Sequence, residues 1–373
     1  MVASPCQILA LADIEPEAWD QVAGATSPSP KLRHDWARSM AAVYSRGGAL
    51  SVLAVGPPDA PQALLPLSVS PGLLRWHRFI ANDDGGLSVP CRDPAALPAL
   101  AAGLIRLGKP VDLGYYPADD PFVGEIQRAA KGRAQVIVRP QDIPAAPWLD
   151  IDHSWQEPTT HLRRNLRQSL RRNERRMREL GEFRPVFHVP SEHEVDALID
   201  AALTVEAKGW KHRTGTALID DAKQTAFFRH YAKAAARAGR MHFAFLELDG
   251  TPVAMNIGEI HAGAFWSYKI GYDEAHAKFG PGALMQYNVI ADAARRGLTR
   301  VELQGQLVEY KRSWTDKAVE TVAVRIYPYT PRGIAAMGSD AYRKSRKARE
   351  SREVAAAKQH PKPDAVGTPS ANG

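Results

Sequence analysis

Apolar positions along the 373-residue chain follow two spacings, and the alternation between them predicts a mixed fold. In the first 140 residues, a helical period at 34–44 is followed by strand-like runs at 50–55, 63–69 and 73–80. Pro57-Pro58 and Pro71-Gly72 punctuate these runs as turns. A helix at 94–107, a strand at 111–115, a helix at 121–131 and a strand at 134–138 come next. The stretch 139–160, rich in Pro, Ala and Asp, reads as a connection between domains.

In the second half, Leu162, Leu166, Leu170, Met177 and Leu180 fall near a 3.6-residue period, which predicts an amphipathic helix over 161–180. A strand at 184–189 and helices at 192–211 and 221–237 lead into a meander of strands at 241–248, 252–260 and 264–272. Asp249-Gly250 and His261-Ala262-Gly263 form its turns. A glycine-containing loop opens a helix at 283–296, a strand follows at 300–304, and a strand at 319–327 completes that sheet. The two halves share an order of elements: meander, helix, central strand. No residue-level repeat accompanies it. The expected class is α+β, with domains at 1–150 and 151–333 and a basic, largely disordered tail at 334–373.

Composition narrows the class. Hydrophobic residues make up 45% and charged residues 24%, which excludes a collagen-like, rod-like or wholly disordered chain. No apolar run reaches the ~18–20 residues of a membrane span. The N-terminus lacks a basic region of the signal-peptide kind, and Cys6 and Cys91 are the only cysteines, so a cytoplasmic, reducing setting is expected. The net charge of +7 is localised. Residues 161–180 hold eight Arg against two Glu, and 332–373 hold nine Lys/Arg against four Asp/Glu, so the remaining body is slightly acidic. Arg163, Arg167, Arg171 and Arg175 form a four-residue ladder that fits a solvated helix face or a phosphate clasp.

The loop Lys278-Phe279-Gly280-Pro281-Gly282 lies between a strand and a helix. The first amides of a helix lack internal acceptors and the dipole adds positive potential there, so Lys278, Gly280 and Gly282 fit a pyrophosphate cradle or a plain strand-to-helix turn. Tyr268 and Tyr272, four apart on one strand, are expected to share a face. Glu259 and Glu302 lie on central strands, where an unpaired carboxylate is costly; each fits a site-facing role or an ion pair with Lys269 or Arg300. Glu206 reads as a helix-surface residue paired with Lys208 or Lys211, an acceptor-facing role being the alternative. His242 lies within the meander, and His261, in a turn, is expected to be solvated. No His-Glu-x-x-His or paired-Cys spacing occurs, so no metal is expected.

The hairpin Leu246-Glu247-Leu248-Asp249-Gly250-Thr251-Pro252-Val253-Ala254, the Phe279-Gly280-Pro281-Gly282 helix start and the ending Tyr310-Lys311-x-x-Trp314 together resemble the Gcn5-related N-acetyltransferase superfamily. More narrowly they resemble its branch of Fem peptidoglycan aminoacyltransferases and acetyltransferases linked to bacterial cellulose biosynthesis. The opening Leu162-Arg163-Arg164-Asn165-Leu166-Arg167 shares that likeness, which covers roughly residues 155–330. Two departures stand out. Gln304 and Gln306 flank Gly305 where an acidic residue is usual, and the glycines of 278–283 sit at unusual offsets.

The resemblance implies tandem acyl-CoA N-acyltransferase folds, each a mixed sheet flanked by helices and splayed around the donor's pantetheine. It implies that Lys278, Gly280, Gly282 and Ala283 hold the pyrophosphate of acetyl-CoA or another acyl-CoA, and that Lys311 meets the acceptor. Direct attack on a thioester needs a base to free the nucleophile and an acid for the leaving thiolate. Tyr272, beside the loop, is the expected acid and Glu302 the expected base or relay. The expected function is acyl transfer to an amine or hydroxyl of a small-molecule, glycan or peptide acceptor, in cell-envelope or exopolysaccharide metabolism. Two readings stand beside it: a Fem-like enzyme taking aminoacyl-tRNA as donor, and a non-enzymatic RNA-binding protein using the Arg-rich helix. Nucleic acid other than a tRNA donor is not expected as a partner.

Overall fold

A computed structural model of the chain describes residues 5–45, 50–82, 85–209 and 218–359. The first sheet is built from β1 (Cys6–Ala10), β2 (Ser51–Val55), β3 (Ala63–Val69), β4 (His77–Phe79), β5 (Val111–Pro117) and β6 (Ala134–Pro140). Its helices are α1 (Pro16–Thr26), α2 (His34–Tyr44), α3 (Leu97–Arg106) and α4 (Pro121–Ala129). The second half runs β7 (Trp148–Asp150), α5 (Arg164–Arg178), β8 (Phe183–His188), α6 (Val195–Ala207), α7 (Ala222–Arg237), β9 (Met241–Leu248), β10 (Thr251–His261) and β11 (Ala264–Tyr272). It continues with α8 (Pro281–Arg295), β12 (Arg300–Glu302), α9 (Glu309–Arg312), β13 (Thr321–Pro328) and α10 (Pro331–Gln359).

The strand orders are β1-β2-β3-β4-β5-β13-β6 and β7-β12-β11-β10-β9-β8. Each sheet is antiparallel except for one parallel step, β4 beside β5 and β11 beside β12. In both halves a helix crosses between the two parallel strands, as such a connection requires. The expected duplication of architecture is present, and the class is α+β.

The strand expected at 319–327 does not complete the second sheet. As β13 it runs antiparallel to both β5 and β6 in the first sheet. The edge of β12 is already taken by β7, from a segment read as a plain connection. The segment after β13 begins as a helix. From residue 331 the chain is helical to Gln359, and the start of α10 docks on β13, where Asp340 accepts hydrogen bonds from Tyr327 Oη and Arg325 at 2.6 Å each. Residues 360–373 lie outside the described residues. Also unread in the sequence were β1 and α1. The exposed edge strand β1 shows no clear alternation, with Ile8 60% exposed.

Two apolar cores result. One joins the first sheet to α6, α7 and the near face of the second sheet; the other lies between the far face of the second sheet, α5 and α8. Trp36 of α2 inserts against Phe227 and Tyr231 of α7 with ring centroids 4.8 and 4.7 Å apart. Beneath it Glu259, 0% exposed, accepts hydrogen bonds from Tyr231 Oη (2.5 Å) and Tyr268 Oη (2.9 Å) and pairs with Arg240, which also pairs with Asp35 of α2. Burial pushes the Glu259 carboxyl up against the pull of Arg240. The carboxylate therefore takes the ion-paired alternative, with Arg240 as partner.

Candidate active site

β11 and β12 pair over only three residues, Ala264–Trp266 against Arg300–Glu302. β11 then continues to Tyr272 without β12 beside it, and the sheet splays. A cavity of about 350 Å³ passes this stretch of β11. Gly280, Gly282, Ala283 and Gln286 line it on the α8 side, Glu206 and Gly209 on the α6 side, with Tyr272 between them. Leu166 of α5 and Tyr310, Ser313 and Trp314 complete the wall.

The loop after β11 forms the turn into α8. Gly280 is left-handed (φ 59°, ψ 48°) and Pro281 is the first helical residue. Ala283 and Leu284 both donate to Gly280 O, at 3.1 and 3.2 Å, so two amides expected to face an anion are engaged within the turn. A β-carbon at Gly280 would meet Asn173 Nδ2 at 2.9 Å, which places the buried side of α5 over the helix start. Lys278 is exposed, its Nζ 5.0 Å from the Phe279 ring centroid, and is not among the lining residues.

Tyr268 and Tyr272 do not share a face. On β10, Ile257 pairs with Lys269 and Gly258 with Ser267, which leaves Tyr268 as the extra residue of a β-bulge. The bulge resets the alternation. Tyr268 packs with Trp36, Phe228 and Tyr231 on the α7 side, whereas Tyr272 belongs to the core on the α8 side.

Glu302 lies opposite Trp266, next to Val301, whose side chain is in the α8-side core. Alternation puts the Glu302 carboxylate on the other face, 3.7 Å from Arg300, and outside the cavity lining. Burial pushes its pKa up to about 7, with Arg300 pulling the other way. Lys311 is also not a lining residue. It is 8% exposed, and its Nζ donates to the carbonyl of Gln304, which holds a left-handed φ of 52°. The ammonium braces a strained turn.

Glu206 is not a surface residue. It is 1% exposed and its Oε2 accepts the Leu218 N–H at 2.6 Å, while Lys208 pairs with Asp273 at 3.5 Å. The other expected partner, Lys211, lies outside the described residues. His261 is half-buried rather than solvated, and burial lowers both its pKa and that of His242 to about 4.

On α5 the arginines other than the half-buried Arg167 are exposed. Arg175 pairs with Glu179 at 3.6 Å and Arg178 with Glu174 at 2.9 Å, while Leu166 and Asn173 face the cavity and the α8 start.

The first sheet has the same parallel step but fills it. Past the two-residue pairing of β4 with β5, Asn82 Nδ2 donates to Leu113 O at 3.1 Å and Gly86 N to Tyr115 O at 2.8 Å. A β-carbon at Gly114 would lie 2.8 Å from Asn82 O.

A splayed parallel pair followed by a glycine turn and helix frames the cavity. Residues 164–312 match the family described as an acetyltransferase (GNAT) domain. Residues 164–312 form a GNAT domain. Such domains belong to N-acyltransferase enzymes and use acyl-CoA as co-substrate. No curated protein sequence matches the chain. Among solved structures, FemX superposes with TM-score 0.55 at 12% identity, covering 86% of this chain and 97% of FemX. The C-terminal domain of a putative lysylphosphatidylglycerol synthetase from Agrobacterium fabrum gives 0.53 at 14%, covering 88% and 95%. A conserved protein of unknown function from Bacteroides thetaiotaomicron gives 0.52 at 14%, covering 87% and 99%. At these identities the likeness is one of fold, and it spans both sheets.

Within the GNAT domain, the cavity gathers Tyr272, Gly280, Gly282 and Ala283 of the expected site. Lys278, Glu302 and Lys311 stand apart from it. Glu206, Gln286 and Ser313 are the polar additions. Glu206 carried a weak signal, a carboxylate beside an aromatic and a glycine at a helix end; the other two carried none. Among the described residues, no helix is long and apolar enough to cross a membrane.

Proposed function

We propose that the chain transfers an acyl group from acyl-CoA to an amine or hydroxyl acceptor by direct attack in the cavity beside Tyr272. The observation that carries this reading is the cavity's course past the stretch of β11 that β12 does not reach, from the glycine turn of α8 to the end of α6. A thioester threaded there runs along the backbone of β11 beyond the end of β12, where an amide suits a tetrahedral oxyanion. No covalent enzyme intermediate is needed, because holding donor and acceptor together removes much of the barrier. In this reading Gly280 and Gly282 admit a diphosphate close to the backbone, and Tyr272 protonates the leaving thiolate. The setting proposed is the cytoplasm, and the acceptor a small molecule, glycan or peptide.

The exposed arginines of α5, beside the same turn, favour a second reading in which the donor is an aminoacyl-tRNA. Thermal unfolding separates the two. Acetyl-CoA should stabilise the protein saturably, by about 2.7 kcal/mol at a hundredfold excess over Kd. Gly282→Asp places an anion where it favours the helix but repels a diphosphate, so it should keep the fold and weaken acetyl-CoA at least tenfold. Equal affinity in both proteins would overturn the cradle. Stabilisation by aminoacyl-tRNA alone would favour the second reading.

A further inference from the structure

Helix α8 buries Leu284, Met285, Val289 and Ile290 in its core, and Gln286 stands among them at 5% exposure. Its side chain lines the cavity. The side-chain nitrogen Nε2 is buried and has no hydrogen-bond partner among the described residues. A primary amide carries two N–H donors on that atom. Buried donors are nearly always satisfied, because a bare one forfeits its bond to water. Leucine or methionine would fill the place without that cost, so a glutamine here fits a cavity whose occupant supplies an acceptor.

Its height on the helix decides which part of a donor it meets. Gly282 and Gln286 are four residues apart and share a face, so the amide stands about 6 Å past the glycine turn. A diphosphate at that turn leads its attached chain by Gln286. In CoA that chain is the pantetheine arm, with two secondary amides between the diphosphate and the thiol. The cavity lining holds no Lys or Arg among the described residues. An anion carried this deep would lose its hydration without a countercharge, whereas a neutral carbonyl suits a neutral donor.

Resting on the acyl-transfer reading above, we propose that Gln286 is a specificity-determining residue for the donor, its Nε2 donating to an amide carbonyl of the pantetheine arm. The chain then reads its donor by that arm as well as by the phosphates. An aminoacyl ester on a tRNA end has no such arm and forgoes the bond.

Calorimetry with CoA and with adenosine 3′-phosphate 5′-diphosphate, which is CoA without the arm, tests this. Gln286→Met keeps the length of the side chain and removes the donor. It should bind CoA about fivefold or more weakly than the wild type and bind the nucleotide equally well. Without ligand its thermal midpoint should match or exceed that of the wild type, because the bare buried donor is gone. Gln286→Leu, an apolar change of another shape, should do the same and serves if the first variant does not fold. Unchanged CoA affinity in either folded variant would overturn the proposal. So would an equal fall for CoA and the nucleotide with a lowered midpoint, the mark of a merely structural glutamine. A wild-type protein that binds neither probe would instead strike the donor reading itself.

Discussion

The Tyr272 ring lies against the first turn of α8, so that a β-carbon on Gly282 would come within 3.3 Å of its Cδ1. The end of the central strand and the start of the helix are thus locked together across the cavity wall. If Tyr272 supplies the proton to the departing thiolate, Tyr272→Phe should keep this packing and lose the chemistry. Turnover should fall about 10²-fold or more while acetyl-CoA stabilises the variant as it does the wild type. Steady-state kinetics with the thermal shift measures both; undiminished turnover would move the acid elsewhere.

Glu302 links stability to pH. Its pKa is about 7 in the folded protein, against an ordinary value of 4.5. Between these values the folded state holds a proton that the unfolded state has released, so stability declines as pH rises from about 4.5 to 7. The loss amounts to about 3 kcal/mol. Glu302→Gln removes it. Urea unfolding at pH 5 and pH 8 should show the variant gaining on the wild type at the higher pH.

The Asp35–Arg240–Glu259 cluster joins the two halves. Arg240→Met would leave two carboxylates without their shared cation, one of them wholly buried, and should cost about 3–5 kcal/mol in chemical denaturation. Adding Glu259→Gln should recover part of the loss, because a neutral amide can remain bonded to Tyr231 and Tyr268.

The filled cleft of the first sheet sets the stoichiometry. Asn82 and Gly86, from the segment after β4, bond to β5 and close the split that stays open between β11 and β12 in the GNAT domain. Calorimetry should find one acetyl-CoA per chain; two equivalent sites would show that the first cleft opens.

Much of this architecture is legible in the residues. The meander at 241–272 shows itself through alternation and the Asp249-Gly250 turn, and the Gly280-Pro281-Gly282 helix start through turn chemistry. What could not be read has physical causes. Tyr268 counts as a site-side neighbour of Tyr272 only if the strand is regular, and a bulge leaves no composition mark. Glu206 sits among Lys208 and Lys211 as surface helices often do, and it is buried by tertiary packing that includes α6 against Gly271. Lys311 was assigned by resemblance, while its actual contact is with a backbone carbonyl that no pattern announces. The partner of a strand is equally silent: nothing in the run Thr321–Pro328 states which sheet it will enter.

That last strand has a consequence for how the molecule is made. β13 lies between β5 and β6, so on the ribosome the first sheet must wait for some 180 residues to be synthesised before its gap can be filled. Everything that forms the catalytic unit emerges in the meantime. The amino-terminal half is in this sense the last to be finished, and a gene cut after codon 150 would encode a sheet lacking one of its inner staves.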